Sequence, residues 1–165
     1  MAMDAVKMVA ESVLAKLREE YDLAWRMYSI GLAVPVDPEA KAVKDSERIA
    51  ENVPFLLLGW GWSSTRFYDA HRVRAQMRIK ERTFLDKSRL LGAIGGTQAE
   101  GSDLYYVPPA ILPGGSELTV EAEAVLAPDP TESYPGPTVD SKIDFVFHGV
   151  DLLPKGTLAK LGLRE

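Results

Sequence analysis

The sequence predicts a mainly β protein, an antiparallel β-sandwich with a long N-terminal helix. Several short segments alternate apolar and polar residues with a period of two, the pattern of strands with one buried face. The 165 residues include 11 prolines and 13 glycines, and those between the segments suit turns. No helical pattern separates the strands, and this argues against the βαβ units of a parallel sheet.

The first predicted element is an amphipathic helix over residues 3–29. Its apolar positions follow one another in steps of four and three, which places them on one face. This face consists of Val6, Ala10, Val13, Leu17, Tyr21, Ala24 and Tyr28. Trp25 and Met27 widen it near its end, and Gly31 is the predicted stop. Such a helix would be about 40 Å long. It is interpreted either as a core helix on a sheet or as an arm on another subunit, and residues 1–31 are assigned to it.

Residues 32–53 are predicted to form a surface linker. Pro35 and Pro38 favour an extended entry, and the charged run over 41–51 suits a solvated segment. A short helix over 38–51 is the alternative interpretation.

The sandwich itself is predicted over residues 54–153. The predicted strands are 72–80, 104–107, 117–123 and 142–148. The second of them is expected to end at Pro108 and Pro109. The predicted connections are a glycine-rich segment at 92–103, a turn at 111–115 and a loop with four prolines at 128–137. The tail, 154–165, is interpreted as one helical turn or a loose end.

The net charge of −5 is distributed unevenly, because residues 1–50, 51–100 and 101–165 carry net charges of −2, +3 and −6. If the strands 72–80 and 117–123 are neighbours, their outward charges face each other as cross-strand ion pairs. The residues concerned are Arg72, Arg74, Arg78 and Lys80 on one strand and Glu117, Glu121 and Glu123 on the other. The alternative is a basic face that meets an acidic partner protein. Nucleic acid is the least favoured partner, since phosphates require a sustained positive surface.

Chemistry-bearing motifs are scarce in this chain. It has no cysteine and only two histidines, His71 and His148, so we expect no metal site. The glycine-rich stretch at 92–97 lacks the Gly-Lys-Ser/Thr ending of a phosphate loop, and no Gly-x-Ser-x-Gly nucleophile motif is present. No run is long enough to span a membrane. We therefore expect no enzymatic activity and no cofactor.

Trp60 and Trp62 lie on one face of a glycine-containing segment, which leaves three interpretations. Both rings fill the core, or they anchor a protein interface, or they stack on sugar rings as in carbohydrate-binding sandwiches. Core filling is favoured because an apolar run precedes them.

Two stretches resemble a known family. One runs from Leu104 to Ala122 and contains Pro108-Pro109 and a Pro-Gly-Gly-Ser turn; the other, after a proline-rich spacer, runs from Ile143 to Leu153 and contains Gly149. Together they resemble the β-sandwich, jelly-roll-like auxiliary proteins of tailed bacteriophage virions. In that family such a turn is followed by one strand, and a later strand ends in Gly-x-x-Leu. The resemblance covers residues 104–153. It implies a jelly-roll-like fold, a structural role and an oligomer, and it brings no catalytic residues.

From these observations we expect a non-enzymatic capsid cement, decoration or head-fibre protein of a phage virion, assembled in the host cytoplasm. The expected partners are further copies of the chain, with a trimer favoured, and the major capsid or neck protein, without nucleic acid or membrane. The candidate interface residues are Val6, Val13, Leu17, Tyr21, Trp25, Tyr28, Trp60, Trp62, Arg72, Arg74, Arg78 and Lys80. The alternative function is a carbohydrate-binding module that uses Trp60 and Trp62, and a hydrolase on the same sandwich is the weakest hypothesis.

Overall fold

The computed structural model describes residues 2–66, 68–79, 82–83, 88–94 and 105–163, with side chains described at 8–66, 68–79, 88–94 and 109–163. Two antiparallel sheets pack face to face, which confirms the predicted β-sandwich. In chain order the elements are α1 (Ala2–Glu20), β1 (Tyr21–Val34), β2 (Val43–Arg48), β3 (Phe55–Ser64), α2 (Asp69–Arg72), β4 (Val73–Ile79), β5 (Arg82–Thr83), β6 (Arg89–Leu90), α3 (Leu91–Ile94), β7 (Tyr105–Leu112), β8 (Glu117–Ala124), β9 (Ser141–Pro154) and α4 (Thr157–Lys160).

The strand pairing is nested, as in a jelly roll. β1 pairs with β9, β2 with β8, β3 with β7 and β4 with β5, so the chain resembles one long antiparallel hairpin that has been rolled up. The first sheet has the order β1-β9-β3-β7. The second has the order β2-β8-β4, and both β5 and β6 lie along the far side of β4. This order confirms the jelly-roll-like architecture that the resemblance implies.

The main core lies between the two sheets and is built by the alternation that the sequence shows. In β4 and β8 every second side chain is buried between the sheets: Val73, Ala75, Met77 and Ile79, and Leu118, Val120, Ala122 and Ala124. In β9 the inward residues are Ile143, Phe145 and Phe147. The predicted strands 72–80, 117–123 and 142–148 are thus confirmed to within a few residues, although β9 continues to Pro154.

The predicted N-terminal helix is wrong beyond Glu20. From Tyr21 to Val34 the chain is a strand that pairs with β9 along its whole length. Tyr28, Ile30, Leu32 and Val34 are buried, while the residues between them are exposed. This is the period of two that is typical of a strand. The spacing of Tyr21, Ala24 and Tyr28 fits a helix seam as well, and the chain passes from helix to strand without a proline or glycine. The described sandwich therefore includes part of the segment that was assigned to a helical arm.

The helix that does form packs on its own chain. Ala10 and Leu14 are buried against the outer face of the first sheet, and Val13, Leu17 and Tyr21 pack at the margin of this contact. The sheet side of this second core is Leu23, Leu56, Leu58, Val150 and Leu152. For the described side chains, the interpretation as a core helix on a sheet is therefore the correct one. The side chain of Val6 lies outside the described residues.

Two further boundaries differ from the predictions. The predicted linker 32–53 contains β2, which has charged side chains on its exposed positions and pairs with β8 at the margin of the second sheet. The strand predicted to end at Pro108 continues as β7 to Leu112, and the turn follows at 113–116. Proline is tolerated there because β7 lies at the margin of the first sheet, where a strand need not donate on both sides.

The remaining connections agree with the predictions where the structure describes them. The loop at 128–137 is without helix or strand, and the tail forms one helical turn, α4. Most of the glycine-rich segment 92–103 lies outside the described residues, as does Lys80. No described helix is long and apolar enough to cross a membrane.

Candidate interaction surface

Trp60 and Trp62 are core residues, exposed by 0% and 2% respectively. The Trp60 ring stacks with both Phe145 and Phe147, at centroid distances of 6.0 and 5.9 Å and with nearly parallel planes. The indole N–H of Trp62 donates a hydrogen bond to the carbonyl oxygen of Leu91 at 3.1 Å. Neither ring can stack on a sugar or contact a partner, so their assignment to an interface or a carbohydrate site is wrong.

A register shift in β3 explains how both tryptophans turn inward. Phe55 and Leu57 face the main core, and Leu56 and Leu58 face the core under α1. The shift between Leu57 and Gly59 inserts one extra residue, after which the even-numbered Trp60 and Trp62 face inward. Because of this bulge, the alternation of inward and outward side chains changes phase within β3.

Arg72 lies in a buried ionic cluster rather than on an outward strand face. The cluster consists of Arg66, Asp69, Arg72, Glu132 and Ser141. Asp69, which is 0% exposed, accepts hydrogen bonds from Arg72 Nη1 at 2.9 Å and from Ser141 Oγ at 3.1 Å, and from Ser64 Oγ. Burial lowers the pKa of Arg72, and the Asp69 carboxylate opposes that shift.

This ionic cluster holds the proline-rich loop against one end of the sandwich. The guanidinium group of Arg66 donates to Glu132 Oε2 at 2.9 Å, to Ser141 Oγ at 3.0 Å and to the carbonyl oxygen of Gly136. Arg72 Nε reaches the carbonyl oxygen of Leu126 at 3.2 Å. The carboxylates of Asp69 and Glu132 thus accept hydrogen bonds from neighbouring side chains. This arrangement is suited to holding the loop in place.

Two of the predicted cross-strand ion pairs between β4 and β8 are present, those of Arg74 and Arg78, whereas Arg72 pairs with Asp69. Arg74 lies opposite Glu123 and donates to its Oε1 at 2.5 Å, and Arg78 Nη2 lies 3.9 Å from Glu121 Oε2. These side chains are partly exposed. The positive charge of this strand is therefore largely balanced within the described sheet, as the internal-pairing interpretation requires.

A double-mutant cycle measures the value of these pairs. We expect Arg74→Ala and Glu123→Ala to be coupled by about 0.5 kcal/mol in the free energy of unfolding, because the pair is short but hydrated. The cycle for Arg78 and Glu121 is the matched control and should give a smaller coupling at its longer distance. Urea denaturation of all variants provides the measurement. Equal couplings, or a larger one for the control pair, would contradict the expectation.

Two strongly exposed apolar side chains lie next to each other on the outer face of the first sheet. Trp25 is 71% exposed and Met27 66% exposed, side by side on β1. On the neighbouring strand Met27 pairs with His148, and the next outward position of β9 is Val146. We call Trp25, Met27, Val146 and His148 the outer-face patch. Burial lowers the pKa of His148, and its Nε2 has no hydrogen-bond partner among the described residues.

The inward side of β1 holds Tyr28, another residue of the predicted interface. Tyr28 is 4% exposed, packs edge-on against Phe55 at a centroid distance of 5.0 Å and accepts a hydrogen bond from the Ala50 amide. Arg26 lies 4.8 Å from the centre of the Tyr28 ring and pairs with Asp151 at 3.3 Å. Burial raises the pKa of Asp151 despite that pair. These contacts hold β1 firmly on the sandwich.

Of the predicted interface, the structure thus leaves Trp25 prominently exposed and brings it together with residues that were not proposed. Val13 and Leu17 on α1 and Tyr21 at the start of β1 are half-buried, and Tyr28 is buried. Met27, Val146 and His148 were missed as a group. The alternation of exposed Trp25 and Met27 could have indicated them once the segment was assigned as a strand. In the described chain, no group of three acidic or histidine side chains could hold a metal ion.

The nested strands and the two packed sheets define the class of this protein as a jelly-roll β-sandwich. No protein-family model matches the sequence, and no curated protein matches it significantly. Among solved structures the chain is similar to the VP2 subviral particle of infectious bursal disease virus, with a TM-score of 0.32 and 12% sequence identity over 85% of this chain and 43% of that chain. The chain spans less than half the length of that VP2 chain.

Proposed function

We propose that this chain is a non-enzymatic structural protein of a virion that docks through the outer-face patch onto a capsid or neck lattice. The observation that carries the proposal is the exposure of Trp25 and Met27 side by side on a strand that is paired along its full length. Tryptophan is strongly enriched among residues that dominate binding energy, and both residue types are enriched at protein interfaces. A rigid strand presents them at little cost in conformational entropy.

The resemblance to auxiliary virion proteins supports the same class of function. Its two stretches correspond to β7, the following turn and β8, and to β9. Its Gly-x-x-Leu ending is Gly149 to Leu152, where the glycine meets β3 and the leucine packs under α1. The motif therefore has a structural role, because its glycine allows the close approach of β9 to β3 and its leucine packs against α1.

The distribution of charge favours a protein partner over nucleic acid. Arg74 and Arg78 are paired with glutamates of β8, so this strand offers little unbalanced positive charge to a phosphate backbone. The outer-face patch is apolar apart from His148, whose pKa is lowered by burial, which favours its neutral form. An apolar patch of this kind is suited to a protein surface.

The proposal is tested on virions purified from a lysate of a phage that encodes the chain. We expect the chain to sediment with the particles at a fixed copy number. Trp25→Ser should lower its affinity for the particles by roughly 30-fold, the effect of losing about 2 kcal/mol at an interface anchor. Ile111→Ser is the matched control, because Ile111 is 53% exposed on the opposite margin of the same sheet and should leave the copy number unchanged.

Quantitative immunoblotting of gradient fractions gives both results. If the chain stays in the soluble fractions, a virion role is wrong. If both variants sediment like the unaltered chain, docking through the outer-face patch is wrong.

A further inference from the structure

The free margin of β1 is an open site for strand pairing. β1 has 14 residues and is the terminal strand of the first sheet. Within the described chain, the main chain of residues 22–34 makes sheet hydrogen bonds to β9 alone. In an antiparallel strand about half of the N–H and C=O groups point away from the one neighbour. These groups form a row along a strand about 48 Å long.

The other sheet margins of the described chain carry features that discourage strand addition, and β1 lacks them. β7 contains Pro108 and Pro109, and β2 is only six residues long with four charged side chains. The far side of β4 is occupied by β5 and β6, which have two residues each. β1 has neither proline nor lysine, and its arginine is engaged with Asp151. An unprotected long edge is a template for another strand.

The helix leaves this margin accessible, and β2 of the second sheet lies close to β1 without pairing with it. α1 contacts both β1 and β7, and its buried residues pack over Leu23, Leu56 and Val150. Val150 lies opposite Trp25 in the sheet, so the helix reaches the cross-strand neighbour of Trp25 without covering Trp25 or Met27. Both of these side chains remain exposed next to the free edge. An incoming strand would therefore gain main-chain hydrogen bonds and apolar contacts together.

We propose that this margin binds β1 of a second copy, in an antiparallel pair around a two-fold axis, so that two first sheets become one eight-stranded sheet. In such a pair, odd-numbered residues face odd-numbered residues, so the outer-face patches of both copies lie on the same side. A centre at Met27 pairs 13 of the 14 residues. It places Met27 opposite its own copy and Trp25 opposite Ser29, whereas a centre at Arg26 would oppose two like charges.

A second copy fits this edge because identical strands satisfy both rows of main-chain groups at once. The strand also has apolar residues on its inward face, Tyr28, Ile30, Leu32 and Val34, which belong to the main core. Pairing two copies would therefore set one sandwich core beside the other. This inference goes beyond the proposed virion role, because it concerns the purified chain alone.

The mass of the purified full chain in solution tests the proposal. Light scattering over a concentration series should give twice the 18.1 kDa of one chain. Met27→Lys should weaken self-association at least tenfold, because the charge sits at the centre of the pair and Met27 is 66% exposed in the single chain, so folding is preserved. Ile111→Lys, on the opposite margin, is the control and should remain a dimer.

Cysteine cross-linking tests the geometry, since the chain has no native cysteine. Met27→Cys should form an intermolecular disulfide under mild oxidation, because directly opposed residues of antiparallel strands have Cα atoms about 4.5–5.5 Å apart, within the range of a disulfide. Ile111→Cys should stay reduced. A monomer at all concentrations, a trimer, or equal association of Met27→Lys and the unaltered chain would overturn the proposal.

The two proposals can fail separately. A monomeric chain that still sediments with virions overturns the strand pairing and leaves the virion role standing. A dimer that never sediments with virions overturns the virion role and leaves the strand pairing standing.

Discussion

Replacing Asp69 with alanine is expected to lower the free energy of unfolding by about 3–5 kcal/mol. Its carboxylate is fully buried and accepts hydrogen bonds from Arg72, Ser141 and Ser64. Without it, the guanidinium group of Arg72 keeps its charge in a buried place and loses its acidic partner, since Glu132 pairs with Arg66. Urea denaturation measures the loss.

Two further variants separate the effect of the Asp69 charge from a general effect of removing an aspartate. Asp69→Asn keeps the shape and an accepting oxygen, so it should lose less than alanine does, and the difference reports the charge. Asp140→Ala is the matched control, because Asp140 is an exposed aspartate directly before β9, next to Ser141. It should change stability by no more than about 0.5 kcal/mol. A loss below about 1 kcal/mol for Asp69→Ala would show that the ionic cluster contributes little to stability.

Replacing Gly149 with alanine is expected to cost about 3 kcal/mol, at the upper end of the usual range for overpacking. A Cβ atom at this position would lie 2.5 Å from Cζ of Phe55, and it would also collide with the carbonyl oxygen of Leu56. The second contact is with the backbone of a central strand, which cannot move aside without breaking its pairing. Thermal and urea unfolding both measure the effect.

Gly31 provides the matched control for this prediction. It also lies within a strand of the first sheet, but a Cβ there would meet only the carboxylate oxygen of Asp144, at 3.0 Å. Because a carboxylate at the end of a side chain can rotate away, Gly31→Ala should change stability by no more than about 1 kcal/mol. Similar losses for the two alanine variants would mean that the close approach at Gly149 relaxes easily.

The strands that the sequence predicted well have one face in the core and one toward solvent. β4 and β8 alternate strictly, and their registers bring Arg74 opposite Glu123 as expected. β3 was not among the predicted strands, because it is buried on both faces and its sequence therefore shows no alternation. β1 was predicted as a helix because its start is covered by α1 and its later part by the main core.

The candidate surface was only partly predictable. Trp25 was proposed, but for the wrong element. Val146 and His148, the β9 residues of the same patch, were not proposed and lie more than 100 positions from β1 in the sequence. Their contact depends on the pairing of β1 with β9, which joins the two ends of the rolled hairpin. The burial of Trp60 and Trp62 likewise depends on a bulge at Leu57 to Gly59, for which Gly59 is the only signal in the sequence.

By itself, the sequence determined the fold class, the alternating strands and the pairing of charges between β4 and β8, because alternation and turn residues act over a few positions. The tertiary structure alone decided where α1 ends, which tryptophans are buried and that Arg72 joins a buried ionic cluster. It also decided that β1 has a free, unprotected edge beside Trp25 and Met27. The physical reason is that burial and strand pairing are set by distant segments, and the same local pattern is compatible with a helix or with a strand until those segments pack.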